Sequence, residues 1–185
     1  MSALFHQFRD LHARLGIDTQ KLGCIMLDVE PIDLGGALDP DWLYYSPTMP
    51  YCQGQPAEAH VTLLYGLLKP GPEMRAEVDE VLAGWKPTDV QTETIHVFPS
   101  ANGEPYSCIV LKLAPTRHLM EPHARLSLLP HIDTFWDYRP HVTLAYVKAE
   151  HEADALAAIR RKLGTRDTYT YVPLVPIGIN YGGDK

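Results

Sequence analysis

"HVTLLY" at 60–65 and "HVTLAY" at 141–146 are nearly the same phrase written twice, 81 residues apart. Nine His and twelve Thr among 185 residues give about 0.6 His-x-Thr triplets by chance. Both triplets found here also share the Val between, the Leu after and a Tyr five residues past the His. Such matched flanks point to two related halves, and an internal repeat is settled before the elements around it.

In a strand, alternate side chains point to opposite faces. His60 and Thr62 then share one face, and Val61 and Leu63 the other; His141 and Thr143 are arranged in the same way. The apolar face requires a core, which leaves the His/Thr face looking away from it. By the same parity Tyr65 and Tyr146 fall on the Val/Leu face and are expected to pack.

Outward from the motifs, "LGCIMLDV" (22–29), "VQTETIHVFP" (90–99) and "YSCIVLKLA" (106–114) read as strands. "SANGEP" forms a turn between the last two. Helical spacing marks 3–15, the stretch holding Met74, Val78, Val81, Leu82 and Trp85, about 116–129 ending at Pro130, and 151–163 stopped by Gly164. Residues 169–181 read as one or two strands, where Pro173 and Pro176 suit an edge. Residues 31–56 form a long irregular loop, a length that usually carries function. Both HVTL strands are followed by helices. The expected fold is α+β, a single bilobal unit spanning 1–185, with two antiparallel sheets around a central cleft and helices on the outer faces.

The chain carries a net charge of −7 and a pI near 5.7. That disfavours a binder of long nucleic acid held by broad phosphate attraction, but leaves room for a small nucleotide in a cleft. Cys24, Cys52 and Cys108 form no CxxC pair. Cys24 and Cys108 lie in apolar runs and read as buried, which favours a reducing, cytoplasmic setting. No stretch reads as a signal peptide or membrane span.

Brought together across a cleft, the two polar faces offer two imidazoles and two hydroxyls. One imidazole can act as base while the other acts as acid. Thr hydroxyls can donate to phosphate oxygens. This set suits in-line attack on a phosphodiester. A single His in an apolar strand is ordinarily a packing residue; two copies with matched flanks reverse that reading. No cofactor or metal is expected, since neither motif has a second ligand at zinc spacing, and His96, His123, His131 and His151 read as surface or packing residues.

Paired hydrophobic-His-hydrophobic-Thr motifs at this separation resemble the 2H phosphoesterase superfamily, which includes LigT-like and cyclic phosphodiesterase proteins. The resemblance implies a bilobal pseudo-two-fold fold and metal-independent phosphoesterase chemistry. It also implies substrates with 2′,3′-cyclic phosphates or 2′-5′ linkages. It carries His60 and His141 onto the catalytic histidines, and Thr62 and Thr143 onto the phosphate-binding threonines. "HVTLLYG", preceded by "GCIMLDVEP" and an aromatic loop, is also similar to phage-encoded anti-CBASS phosphodiesterases, which cleave cyclic di- and trinucleotide signals. On that similarity the setting would be the host cytoplasm.

Hydrolysis of a small cyclic nucleotide is therefore the leading expectation. An enzyme acting on RNA ends or 2′-5′ linkages is the alternative, and a nucleotide-binding module without catalysis is the alternative of another class. Aromatics near the motifs are expected to grip bases: Trp42, Tyr44, Tyr45 and Tyr51 in the long loop, and Trp136 and Tyr138 before the second HVTL. Arg139 is placed to reach a phosphate. The partner expected is a small nucleotide, with no membrane and no stable long nucleic acid.

Overall fold

The computed structural model describes residues 22–49, 51–88, 90–100, 104–133, 137–164, 172 and 174–182. The expected helix over 3–15, the tip of the "SANGEP" turn, the start of the 169–181 stretch and Trp136 lie outside these residues. The strands are β1 (Gly23–Val29), β2 (Ala59–Leu67), β3 (Thr92–Pro99), β4 (Tyr106–Leu113), β5 (His141–Lys148) and β6 (Pro176–Gly182). The helices are α1 (Arg75–Val81), α2 (Arg117–Leu126) and α3 (Glu152–Lys162).

The strands run in the order β3-β4-β5-β2-β1-β6, all paired antiparallel. The two expected sheets are thus two three-stranded halves joined edge to edge. The HVTL strands β2 and β5 make the join, and their ladder has one pair, Val61↔Val142. Beyond that pair the strands part, as twist carries neighbouring strands out of register with the sheet plane.

Each strand then finds another partner for its outer half. Tyr44 donates its N–H to the Tyr146 carbonyl, and Tyr146 donates to Gly54. On the other side Leu68 donates to Pro130, and Ile132 to Gly66. The freed backbone groups of the two central strands are satisfied in this way.

The halves correspond strand by strand: β1 with β4, β2 with β5, β6 with β3. The first half takes its outer strand from the far end of the chain. Pro176 opens that strand, at the sheet edge where a missing N–H is tolerated. All three helices cover the Val/Leu face. Val78 of α1, Leu119 and Leu126 of α2, and Ile159 of α3 join one core with Val61, Leu63, Val142 and Leu144.

The strands depart from simple alternation at matching places. Thr62 pairs with Met26 and Leu64 with Ile25, so Leu63 is an extra residue on β2. Thr143 pairs with Val110 and Ala145 with Ile109, so Leu144 is an extra residue on β5. Such a bulge resets which face the following residues occupy. Leu63 and Leu64 are both buried, and so are Leu144 and Ala145.

The start of β1 is held against the end of β2. A methyl group on Gly23 would lie 2.2 Å from the Lys69 carbonyl oxygen and 2.9 Å from the Gly71 nitrogen, both main-chain atoms. Gly23→Ala should therefore cost about 1–3 kcal/mol, the usual range for overpacking a filled site. A thermal melt checks this; an unchanged midpoint would mean that the backbone yields there.

Candidate active site

The Val61↔Val142 pair sits at the centre of the site. Extending its antiparallel register by one residue each way sets His60 beside Thr143 and Thr62 beside His141. Side chains directly opposite on one face lie about 4.5–5.5 Å apart at Cβ. The four residues are all partly exposed, while both valines beneath them are fully buried. The folding of the sheet thus brings together the two pairs that the sequence places 81 residues apart.

His141 has a defined tautomer. Its Nδ1 lies 2.7 Å from the Arg139 carbonyl. A carbonyl only accepts, so Nδ1 carries the hydrogen and Nε2 holds the lone pair of the neutral ring. Burial holds the His141 imidazole below its usual range; the Arg139 bond opposes this, and His60 lowers it further. Burial also lowers His60, against an upward pull from Asp28 and Glu58. His60 lies close enough to His141 to influence its ionisation.

Tyr65 and Tyr146 correct the parity reading. The bulges turn both onto the His/Thr face. Tyr65 is 38 % exposed, and Tyr146 lies within hydrogen-bonding reach of Thr143. The equal spacing of Tyr behind both His was the available signal; strict alternation discarded it because a one-residue bulge leaves no mark in the sequence.

The register shows a second feature that the sequence reading missed. Cys24 pairs with Tyr65 and Cys108 with Tyr146, so both thiols look toward the polar face. Cys24 contacts Thr62, and the Cys108 Sγ is 3.9 Å from the Thr143 Oγ1. Both thiols are partly exposed, not fully buried. Burial nevertheless pushes Cys24 up to about 12 and Cys108 up to about 11. Both therefore stay protonated at neutral pH and are poor nucleophiles.

The long loop builds one wall. Glu104 accepts from Tyr44 at 2.5 Å, from Ser46 at 2.9 Å and from Thr48 at 2.6 Å. Tyr44 stacks on Tyr106 at 5.2 Å, which meets Tyr146 edge-on at 5.9 Å. Tyr44 is thus a fastening residue, and Trp42 stacks on His151. Tyr45 (60 %) and Tyr51 (68 %) remain exposed. Tyr45 covers Gly54, and Tyr51 lies close enough to Tyr65 to influence its ionisation. Phe98 of β3 meets His141 edge-on at 5.1 Å.

Tyr138, expected to contact substrate, makes two contacts within the protein. Its hydroxyl donates to the Thr62 carbonyl at 3.1 Å, and its ring stacks on His123 at 3.9 Å. His123 in turn donates from Nδ1 to the Leu63 carbonyl at 2.7 Å. The pair satisfies the carbonyls that the first bulge frees, a demand the sequence does not display. At the second bulge the equivalent ground is a notch of about 300 Å³ bordered by Ile32, Gln55, Pro56 and Ala59; neither His60 nor His141 lines it. Arg139 offers its carbonyl to His141, and its guanidinium pairs with Asp137 at 2.8 Å.

Among the described residues, no three His, Cys, Asp or Glu side chains gather as a metal site. Among the same residues, no helix is long and apolar enough to cross a membrane.

Because burial lowers both imidazoles, the unfolded chain binds more protons than the folded one in mild acid. The contribution of these groups is complete above their ordinary value of 6.5 and declines as the pH drops through it. Urea denaturation should show lower stability at pH 5.5 than at 7.5, with a flatter dependence in the His60→Gln/His141→Gln double variant. Ring-proton NMR should show both imidazoles titrating below the usual value. Normal titration of either would contradict its burial.

The solved structure of Kluyveromyces marxianus Usb1 is similar at 11 % identity, over 81 % of this chain and 85 % of that one, with a TM-score of 0.44. No curated protein matches the chain. The sequence profile of the 2′-5′ RNA ligase superfamily matches residues 53–170, well over half of the chain, and it spans both HVTL motifs. The chain belongs to the 2′-5′ RNA ligase superfamily, the LigT-like 2H phosphoesterases.

Proposed function

We propose that this protein is a phosphodiesterase that needs no metal and acts on a small nucleotide, a cyclic di- or trinucleotide being the class it suits best. The observation that carries the reading is the square of His60, Thr143, His141 and Thr62 around one buried valine pair. A phosphate centred there meets an imidazole on each side. One takes the proton of the attacking hydroxyl, the other protonates the leaving oxygen, and the Thr hydroxyls donate to the non-bridging oxygens. The exposed rings of Tyr45 and Tyr51 at the wall offer stacking surfaces for bases.

A second reading, cleavage or joining of 2′-5′ linkages at RNA ends, is favoured by membership of the 2′-5′ RNA ligase superfamily. Incubation with cyclic dinucleotides, 2′,3′-cyclic mononucleotides and 2′-5′ dinucleotides, each with EDTA, separates the two. Turnover only after zinc or manganese is restored would overturn the metal-free mechanism.

His60→Ala and His141→Ala should each lower turnover by at least about two orders of magnitude. The double variant should be little worse, because the two act on one proton circuit. Near-normal turnover in either single variant would sink the mechanism. Tyr51→Ala should weaken substrate binding by about 1–3 kcal/mol and leave the thermal midpoint in place; a falling midpoint with normal affinity would make Tyr51 a packing residue.

A further inference from the structure

Each segment that leads into one HVTL motif meets the bulge of the other. Tyr138 stands three residues before His141, and Ala57 three residues before His60. Tyr138 reaches the bulge of β2, where its hydroxyl donates to the Thr62 carbonyl at 3.1 Å. Ala57 borders the bulge of β5, in the notch that Thr143 and Leu144 also line. Both strands carry the bulge at the same motif residue, so the two places match in backbone and differ by one ring. At the first, the chain supplies an aromatic ring with a hydrogen-bond donor at its tip. At the second it supplies a methyl group, and a notch of about 300 Å³ stands there.

We infer that this notch takes a nucleobase bearing an exocyclic amine, seated at the second bulge as the Tyr138 ring is seated at the first. The inference rests on the phosphodiesterase reading above in one respect, that the base belongs to the substrate.

Pockets for small ligands run from about 300 to 1,000 Å³, so this one suits a single ring system and not a whole dinucleotide. Ile32 and Pro56 give it apolar surface, and Gln55 gives it an amide. A Gln amide accepts from an exocyclic amine while donating to the neighbouring ring nitrogen, as it does with adenine. The donor of Tyr138 meets a main-chain carbonyl freed by the first bulge; by the match of backbones the second bulge calls for a donor too, and an amine is one.

Charge selects which end of a nucleotide enters. Among the described residues, Asp33 is the one charged group that lines the notch. Its carboxylate accepts from the Gly35 N–H at 2.7 Å and faces the Lys162 ammonium at 3.9 Å. A phosphate is repelled by a carboxylate, whereas an uncharged base is not. Thr143 lines the notch and also stands in the His/Thr square, which puts the base of a nucleotide beside the phosphate under attack.

Amide NMR of the full chain with adenosine, guanosine, cytidine and purine riboside tests the pocket without any turnover. At least one of the three amine-bearing nucleosides should shift the Gln55, Ala57 and Leu144 amides saturably. Purine riboside, which lacks the amine, should bind about tenfold more weakly than the best of them. Ala57→Tyr supplies the ring that the second half lacks. It should hold or raise the thermal midpoint, remove the nucleoside shifts at Gln55 and Leu144, and raise KM about tenfold or more with kcat much less changed. Gln55→Ala, at an exposed position, serves as a second variant should Ala57→Tyr fold poorly, and should weaken nucleoside binding about tenfold. Shifts confined to the surroundings of Tyr45 and Tyr51, no shift with any nucleoside, equal binding of purine riboside, or undiminished binding in a folded Ala57→Tyr protein each overturns the inference while leaving the phosphodiesterase standing. Nucleoside binding at the notch without turnover of any member of the nucleotide panel supports the pocket and overturns the phosphodiesterase reading instead.

Discussion

A single ladder pair, Val61↔Val142, joins the two halves of the sheet. Both side chains are fully buried against the helices, so the pair provides a stiff apolar floor. The polar residues on either side of it have no freedom to choose their company. Antiparallel pairing puts the His of one motif beside the Thr of the other, and the approximate symmetry makes the two diagonals alike. Had β2 and β5 paired along their full length, the surface above them would be a flat sheet face. Because they part after one pair, each strand turns its outer half to a different partner, and walls rise on both sides.

The bulges follow from the same arrangement. An extra Leu in each strand sinks two successive apolar residues into the core and returns the following Tyr to the polar face. The freed carbonyls at the first bulge are met by Tyr138 and His123. The stretch leading into the second motif thus braces the first one, and the two motifs are mechanically coupled through the core side as well as across the site.

Symmetry supplies the matched groups, and departures from it lie in what surrounds them. The Glu104-fastened loop stands over the β4–β5 side. The neighbouring strands β1 and β4 place Asp28 opposite His60 and Lys112 opposite His141.

The duplicated HVTL by itself marked the two His/Thr pairs and the two-half architecture, because the spacing of apolar and polar residues in a strand is a local property that sequence records directly. The four strands around the motifs and the three helices were legible for the same reason. The faces of Tyr65 and Tyr146 were not: a bulge inserts one residue, reverses parity and has no compositional signature. Nor was the correspondence of β1 with β4, since Cys24 and Cys108 stand 84 residues apart against 81 for HVTL and the two strands share only scattered identities. The outer strand of the first half comes from the opposite end of the chain, so the halves are related by circular order and not by simple succession. Tyr138 looked like a platform for a base because it precedes the second motif; only tertiary structure could reveal a carbonyl of the first motif waiting for its hydroxyl. Residues a strand apart in space are far apart in sequence, and the opposition of Asp28 to His60 and of Lys112 to His141 exists only once the ladder has formed.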